Sequence, residues 1–132
     1  MIFIDTGAFL ARYLARDQCH QEAIRLWQDL EKSKKLIYTS NFVIDETITL
    51  LARKANYNFA VDKAKTIYSS TRLNIIRADD RLELMAVRLF EKYADQNVSF
   101  TDCVSFAIMR QNGIDDVLGF DKHFEYAGFN LL

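Results

Sequence analysis

Four carboxylates, Asp5, Glu46, Asp102 and Asp121, stand apart from the other acids of this 132-residue chain because of what flanks them. Asp5 and Asp121 each directly follow a short apolar run, Ile2-Phe3-Ile4 and Val117-Leu118-Gly119-Phe120. Runs of that kind read as buried strands that stop at a polar turn. Glu46 and Asp102 fall in the first turns of two helical patterns. If these elements meet at one edge of a sheet, four acids from four distant segments converge. Their repulsion costs stability unless a cation resolves it, and hard oxygen donors with open coordination positions suit Mg²⁺ or Mn²⁺.

Each acid also has an ordinary explanation. Asp5 can cap the first helix, and Asp121 can cap a turn at Lys122-His123. Ser99-Phe100-Thr101-Asp102 fits a capping box, in which such caps contribute about 0.5 to 2 kcal/mol. Glu46 is by default a solvated helix residue, and on spacing alone Asp45 is an equal candidate. It is the common edge that separates these four from Glu22, Asp29, Glu31, Glu91 and the Asp79-Asp80 pair, which lie on helix surfaces or at a helix start. No Ser/His/Asp or Cys/His set competes, since His20 and His123 are the only histidines and read as a surface helix residue and a turn residue.

The elements that must position the acids follow from periodicity. After the first strand, Phe9, Leu10, Tyr13 and Leu14 repeat at helical spacing, and Ala23, Ile24, Trp27 and Leu30 do so again. Leu36-Ile37-Tyr38-Thr39 is a second strand, and Ser40 or Asn41 caps a helix carrying Ile44, Ile48 and Leu51. Ala60, Ala64, Ile67 and Tyr68 outline another helix, Leu73-Asn74-Ile75-Ile76 a strand, and Leu82 to Tyr93 a further helix. The helix from Thr101 to Gln111 ends at Asn112-Gly113, a pair suited to a left-handed cap. A last short strand is expected at Phe129-Asn130-Leu131. Strands alternating with helices of about 10 to 15 residues predict a three-layer α/β/α sandwich around a central, mostly parallel, Rossmann-like sheet. Ligands in such sheets sit outside the carboxyl ends of the strands, where the chain order reverses.

Composition narrows the class further. Half of the chain is apolar, and no proline, repeat or low-complexity tract marks a linker, so residues 1–132 are expected to form a single domain. No 18-residue apolar run exists, and Met1-Ile2-Phe3-Ile4-Asp5 has neither the basic lead nor the small-residue cleavage site of a secretory signal, so a cytoplasmic protein without a membrane span is expected. Two cysteines, Cys19 and Cys103, offer neither a disulfide framework nor zinc spacing. Seventeen basic against eighteen acidic residues give a charge of −1, so any polyanion must meet a local basic patch. Lys32, Lys34 and Lys35, with Arg53 and Lys54, are candidates, although such groups are also ordinary helix ends.

Several phosphoryl and hydrolytic classes drop out. Asp5-Thr6-Gly7 matches the aspartic-protease tripeptide, but that class is rich in alternating strands and this chain is mostly helical. A haloacid dehalogenase would place a second aspartate at Gly7, a receiver domain would carry an acidic pair at its first strand end, and no P-loop exists.

The chain resembles the PIN-domain ribonucleases over essentially its whole length, especially the small VapC-like toxins of toxin–antitoxin pairs. The resemblance rests on Ile4-Asp5-Thr6, Thr39-Ser40-Asn41-Phe42-Val43-Ile44-Asp45-Glu46, Ser99-Phe100-Thr101-Asp102 and Gly119-Phe120-Asp121-Lys122-His123-Phe124. It implies that Asp5, Glu46, Asp102 and Asp121 bind Mg²⁺ or Mn²⁺, and it favours Glu46 over Asp45. It also implies an endoribonuclease that cleaves RNA phosphodiester bonds with metal-activated water, acts as a homodimer and is silenced by a cognate antitoxin. Apolar side chains such as Trp27, Tyr38 and Tyr57 could serve that partner surface, with core packing the favoured role for each. Two positions depart from the family, which commonly has serine or asparagine at Gly7 and threonine or serine at Gly119. Thr6 and Thr101 are then the nearby hydroxyls. The competing reading is a PIN-like module that binds RNA or protein without cleaving it, which loss of the acids would signal.

Overall fold

Ile2, Phe3 and Ile4 are all buried although consecutive strand residues face opposite sides, so both faces of the first strand are covered. This strand, β1 (Ile2–Ile4), is the centre of a five-stranded sheet in a computed structural model that describes residues 1–132. It is followed by α1 (Thr6–Tyr13), α2 (His20–Lys32), β2 (Ile37–Ser40), α3 (Asn41–Lys54) and α4 (Tyr57–Ser69). Then come β3 (Leu73–Ile76), α5 (Asp80–Lys92), a 3₁₀ turn at Ala94–Gln96, α6 (Phe100–Asn112), β4 (Asp116–Leu118), α7 (His123–Tyr126) and β5 (Asn130–Leu131). All strand pairings are parallel, in the order β3-β2-β1-β4-β5. The expected three-layer α/β/α sandwich is therefore observed.

The chain builds outward from β1 through β2 and β3, then returns to the other side of β1 for β4 and β5. The order reverses between β1 and β4, and the crevice at the carboxyl ends of these two strands is where an open parallel sheet binds its ligand.

Helix starts follow from local capping. Ser40 Oγ accepts the Val43 N–H at 3.2 Å and Ser99 Oγ the Asp102 N–H at 3.0 Å, so α3 and α6 begin at defined residues. Each such cap contributes about 1 kcal/mol. The expected left-handed stop of α6 is found at Gly113, with φ of 64°. Every residue from Asp102 to Met109 is buried, so α6 is enclosed on all sides rather than on the single stripe its pattern suggests. Phe106 packs edge-on against Phe124, with centroids 5.0 Å apart, and against Tyr93, and stacks on Phe129. Truncating a phenylalanine enclosed this way costs about 3 to 5 kcal/mol.

Two expectations need correction. The strand expected to run through Phe120 ends at Leu118, because its partner β1 stops at Ile4 and turns into α1, leaving nothing to continue the ladder. His123, expected as a turn residue, instead opens α7, which is held by the buried Phe124. Of the three aromatics considered for a partner surface, Trp27 is a core residue whose Nε1–H donates to the Ala8 carbonyl at 3.0 Å, and Tyr38 is half-buried. Only Tyr57, 80% exposed, faces solvent. No helix is long and apolar enough to cross a membrane.

Candidate metal centre

The Asp5 backbone closes β1. Its N–H donates to the Leu118 carbonyl at 3.0 Å, the last rung between β1 and β4, and its carbonyl accepts the Ala8 N–H at 3.1 Å to start α1. The residue thus occupies the N-cap position, yet its side chain makes no cap hydrogen bond. It is only 4% exposed, and Oδ1 is sealed from solvent without a hydrogen-bond partner. An ionised oxygen left this way is unstable unless a proton or a cation reaches it. Burial first, then the charges of Asp102 and Glu46, push the Asp5 carboxyl up to about 8. The backbone N–H groups of Thr6 and Gly7 pull the other way, although neither is aligned as a cap bond.

Asp102 comes from the opposite direction, at the start of the enclosed helix α6, and is 7% exposed. The Ser99 hydroxyl accepts its backbone N–H, but no reciprocal bond from its carboxylate to the Ser99 N–H forms, so only half of the capping box is realised. Burial, then Asp121 and Glu46, raise its carboxyl to about 6, opposed by the His123 ring and the Ser99 hydroxyl.

Glu46 and Asp121 complete the group in different ways. Glu46, in α3, is half-buried and acts electrostatically on both Asp5 and Asp102, whereas Asp45 is exposed to solvent. Packing of α3 therefore separates two acids that spacing left equal. Asp121, three residues past β4, is half-buried and its Oδ1 accepts the His123 N–H at 2.9 Å, so its expected turn-capping role is real. It does not exclude a second role, because a carboxylate has further lone pairs.

His123 belongs beside these acids although it reads from the sequence as a turn residue. Its Nδ1 lies 3.0 Å from Asp121 Oδ1 and 3.8 Å from Asp102 Oδ2, and ligand atoms of Asp102, Asp121 and His123 all fall within 4.8 Å of one another. The sequence signal was the Asp121-Lys122-His123 spacing, which a tight turn folds back on itself. Around Asp5 the two glycines leave open space of unequal size. A β-carbon on Gly7 would stand 3.9 Å from Asp5 Oδ2, and one on Gly119 only 3.2 Å from the Asp5 Cβ. Thr6 Oγ1 is buried and without a partner, and Thr101 is half-buried.

The basic groups are not where the sequence suggested. Lys32, Lys34 and Lys35 precede β2 and lie toward the amino edge of the sheet, where Lys35 approaches Asp116 at 3.5 Å, and Arg53 and Lys54 end α3. At the carboxyl edge the exposed cations include Arg77, directly after β3, and Lys122 beside Asp121. Chemically, the arrangement is a set of hard oxygen donors with one imidazole nitrogen, including buried atoms that lack any protein partner, and it fits a divalent cation.

A parallel sheet covered by helices, with acids gathered at its switch point, defines an α/β/α sandwich with a candidate site at that edge, and residues 2–130 match the PIN domain family. The chain belongs to that family. It is 37% identical over 129 residues to the 23S rRNA-specific endonuclease VapC20 of Mycobacterium tuberculosis, which covers 98% of this chain and 95% of the relative. It is 28% identical over 124 residues to the VapC ribonuclease of Archaeoglobus fulgidus, covering 92% of this chain and 77% of the relative. The crystal structure of M. tuberculosis VapC20, described as a Sarcin-Ricin loop cleaving toxin, superposes with a TM-score of 0.90 at 36% identity, covering 98% of this chain and 96% of that one.

Proposed function

We propose that this chain is a Mg²⁺- or Mn²⁺-dependent endoribonuclease, the toxin of a toxin–antitoxin pair, acting on ribosomal RNA. The observation that carries the reading is the buried, unpartnered Oδ1 of Asp5 within acids drawn from four segments to the sheet's switch point. The 37% identity over nearly the whole of a relative named for 23S rRNA cleavage supports the substrate class.

In this reading Asp5 and Asp102 hold the cation directly, and Glu46 and Asp121 hold it directly or through water. When bound, such an ion lowers the pKa of water at the scissile phosphate and offsets the charge that builds on the phosphate and leaving oxygen. The carboxylates serve as ligands and orienting groups rather than as nucleophiles. The Asp121 carboxylate is kept in place by the His123 N–H. Arg77 and Lys122 supply local positive charge at this edge for a polyanion that the net charge of −1 does not attract. A cognate antitoxin and a homodimer follow from the same reading. Exposed apolar side chains on α4 (Tyr57, Val61, Tyr68) and α5 (Leu84, Val87, Phe90) support an uncovered protein interface.

Incubating the purified protein with ribosomes tests the substrate. A discrete fragment of the large ribosomal RNA is expected with Mg²⁺ or Mn²⁺ and not with EDTA. Intact ribosomal RNA alongside efficient cleavage of another RNA class would contradict the choice of substrate.

A further inference from the structure

The four-carboxylate reading leaves the His123 ring without a task, although the ring lies against the acids. The tight turn Asp121-Lys122-His123 positions the residue through the bond from the His123 backbone N–H to Asp121 Oδ1. Nδ1 is sealed from solvent, yet it has no hydrogen-bond partner. Its 3.0 Å approach to Asp121 Oδ1 and 3.8 Å approach to Asp102 Oδ2 lack hydrogen-bond alignment. Donor atoms that share one octahedral ion in adjacent positions, each about 2.0 to 2.2 Å from it, lie about 3 Å apart. The His123–Asp121 spacing has that value. Beside this group, Asp5 Oδ1, whose carboxyl feels the charge of Asp102, is a second, independent atom that is buried and unpartnered.

We propose that His123 Nδ1 is a direct nitrogen ligand of the cation, alongside Asp102 and Asp121, and that it tilts the site toward Mn²⁺ over Mg²⁺. The inference rests on the metal-dependent reading above and adds to it an identified fifth donor and a metal preference. The ring binds as the neutral tautomer, with its proton on Nε2 and the Nδ1 lone pair toward the ion. An imidazole nitrogen suits first-row transition ions, whereas Mg²⁺ is a hard ion that keeps oxygen donors. A loss of nitrogen ligation therefore weakens Mn²⁺ binding more than Mg²⁺ binding. The only other histidine, His20, is committed elsewhere, its Nδ1–H donating to the Ala11 carbonyl at 2.7 Å.

Pulsed electron paramagnetic resonance on the Mn²⁺-loaded protein tests this without relying on activity. The expected spectrum shows modulation from a directly bonded imidazole nitrogen, which converts to the ¹⁵N pattern when only histidine is ¹⁵N-labelled. The coupling persists in His20→Asn and disappears in His123→Asn. By calorimetry, His123→Asn lowers Mn²⁺ affinity about tenfold or more, a loss of the size seen when a metal site loses a supporting group, with a smaller change for Mg²⁺. Mn²⁺ bound with no histidine coupling in the wild-type protein overturns the ligand assignment and leaves the metal-dependent reading standing. A coupling that follows His20 instead also overturns it. Failure of Mn²⁺ to bind at all overturns both. The labelling experiment uses the unaltered chain, so the outcome stands even if His123→Asn fails to fold.

Discussion

A β-carbon placed on Gly119 would stand 3.2 Å from the Cβ of Asp5 and 3.5 Å from its Oδ2, so the chain leaving β4 passes against the side chain that closes β1. That is tighter than an ordinary van der Waals contact, and Asp5 has little freedom to move in a buried cleft. Gly119→Ala is expected to displace the carboxylate and to cost about 1 to 3 kcal/mol, as overpacking does. Gly7→Ala is the contrast. Its added carbon meets nothing closer than 3.8 Å, and in a helix alanine is favoured over glycine by about 0.5 to 1 kcal/mol. Thermal melts of both variants check this: a lower midpoint is predicted for Gly119→Ala and an equal or higher one for Gly7→Ala.

The buried acids predict an inverted pH profile for the metal-free protein. The Asp5 carboxyl titrates at about 8 in the folded chain against an ordinary 3.8, so the folded state binds that proton more tightly than the unfolded chain does. Stability from this group is fully present below its unfolded value and is lost as pH rises toward about 8, and Asp102 adds a similar loss up to about 6. In EDTA the melting midpoint should fall from pH about 5 to pH about 8. A divalent ion, which competes with those protons, should restore most where the loss is greatest. Asp5→Asn should flatten the profile in EDTA and raise the midpoint near pH 8. Scanning calorimetry across this range decides it, and a midpoint that rises with pH in EDTA would count against the buried-acid account.

Asp45 and Glu46 form a matched pair on one helix. Asp45 is solvent-exposed, while Glu46 is half-buried with its charge felt at Asp5 and Asp102. Asp45→Asn is predicted to leave cation affinity unchanged, and Glu46→Gln to weaken it by about tenfold or more, in the range seen when a metal site loses a supporting group. Calorimetric titration of Mg²⁺ and Mn²⁺ into each variant measures the difference directly.

Asp5 was legible in the sequence because Ile2-Phe3-Ile4 is uninterrupted by polar residues and ends on it, and Asp102 because Ser99 marks a helix start. Between Asp45 and Glu46, spacing was silent. Neighbouring helix residues point about 100° apart, and only the packing of α3 decides which one faces the cleft. Topology, not composition, decides where the cations lie: a segment that precedes a strand of a parallel sheet lies at its amino edge, so Lys32, Lys34 and Lys35 belong away from the acids. α7 was invisible because one helical turn has no periodicity to detect. Its anchor is the tertiary burial of Phe124, so from the sequence alone His123 reads as a turn residue.

The central claim is that a divalent ion held by these acids makes the chain a nuclease. It is tested most directly by following cleavage of a fluorophore–quencher single-stranded RNA with Mn²⁺, with Mg²⁺ and with EDTA, for the unaltered protein and for Asp5→Asn and Asp102→Asn. Metal-dependent cleavage by the unaltered chain, abolished by EDTA and reduced at least a hundredfold in either variant, is the predicted result. Cleavage that persists in EDTA, or that survives both substitutions, would contradict it.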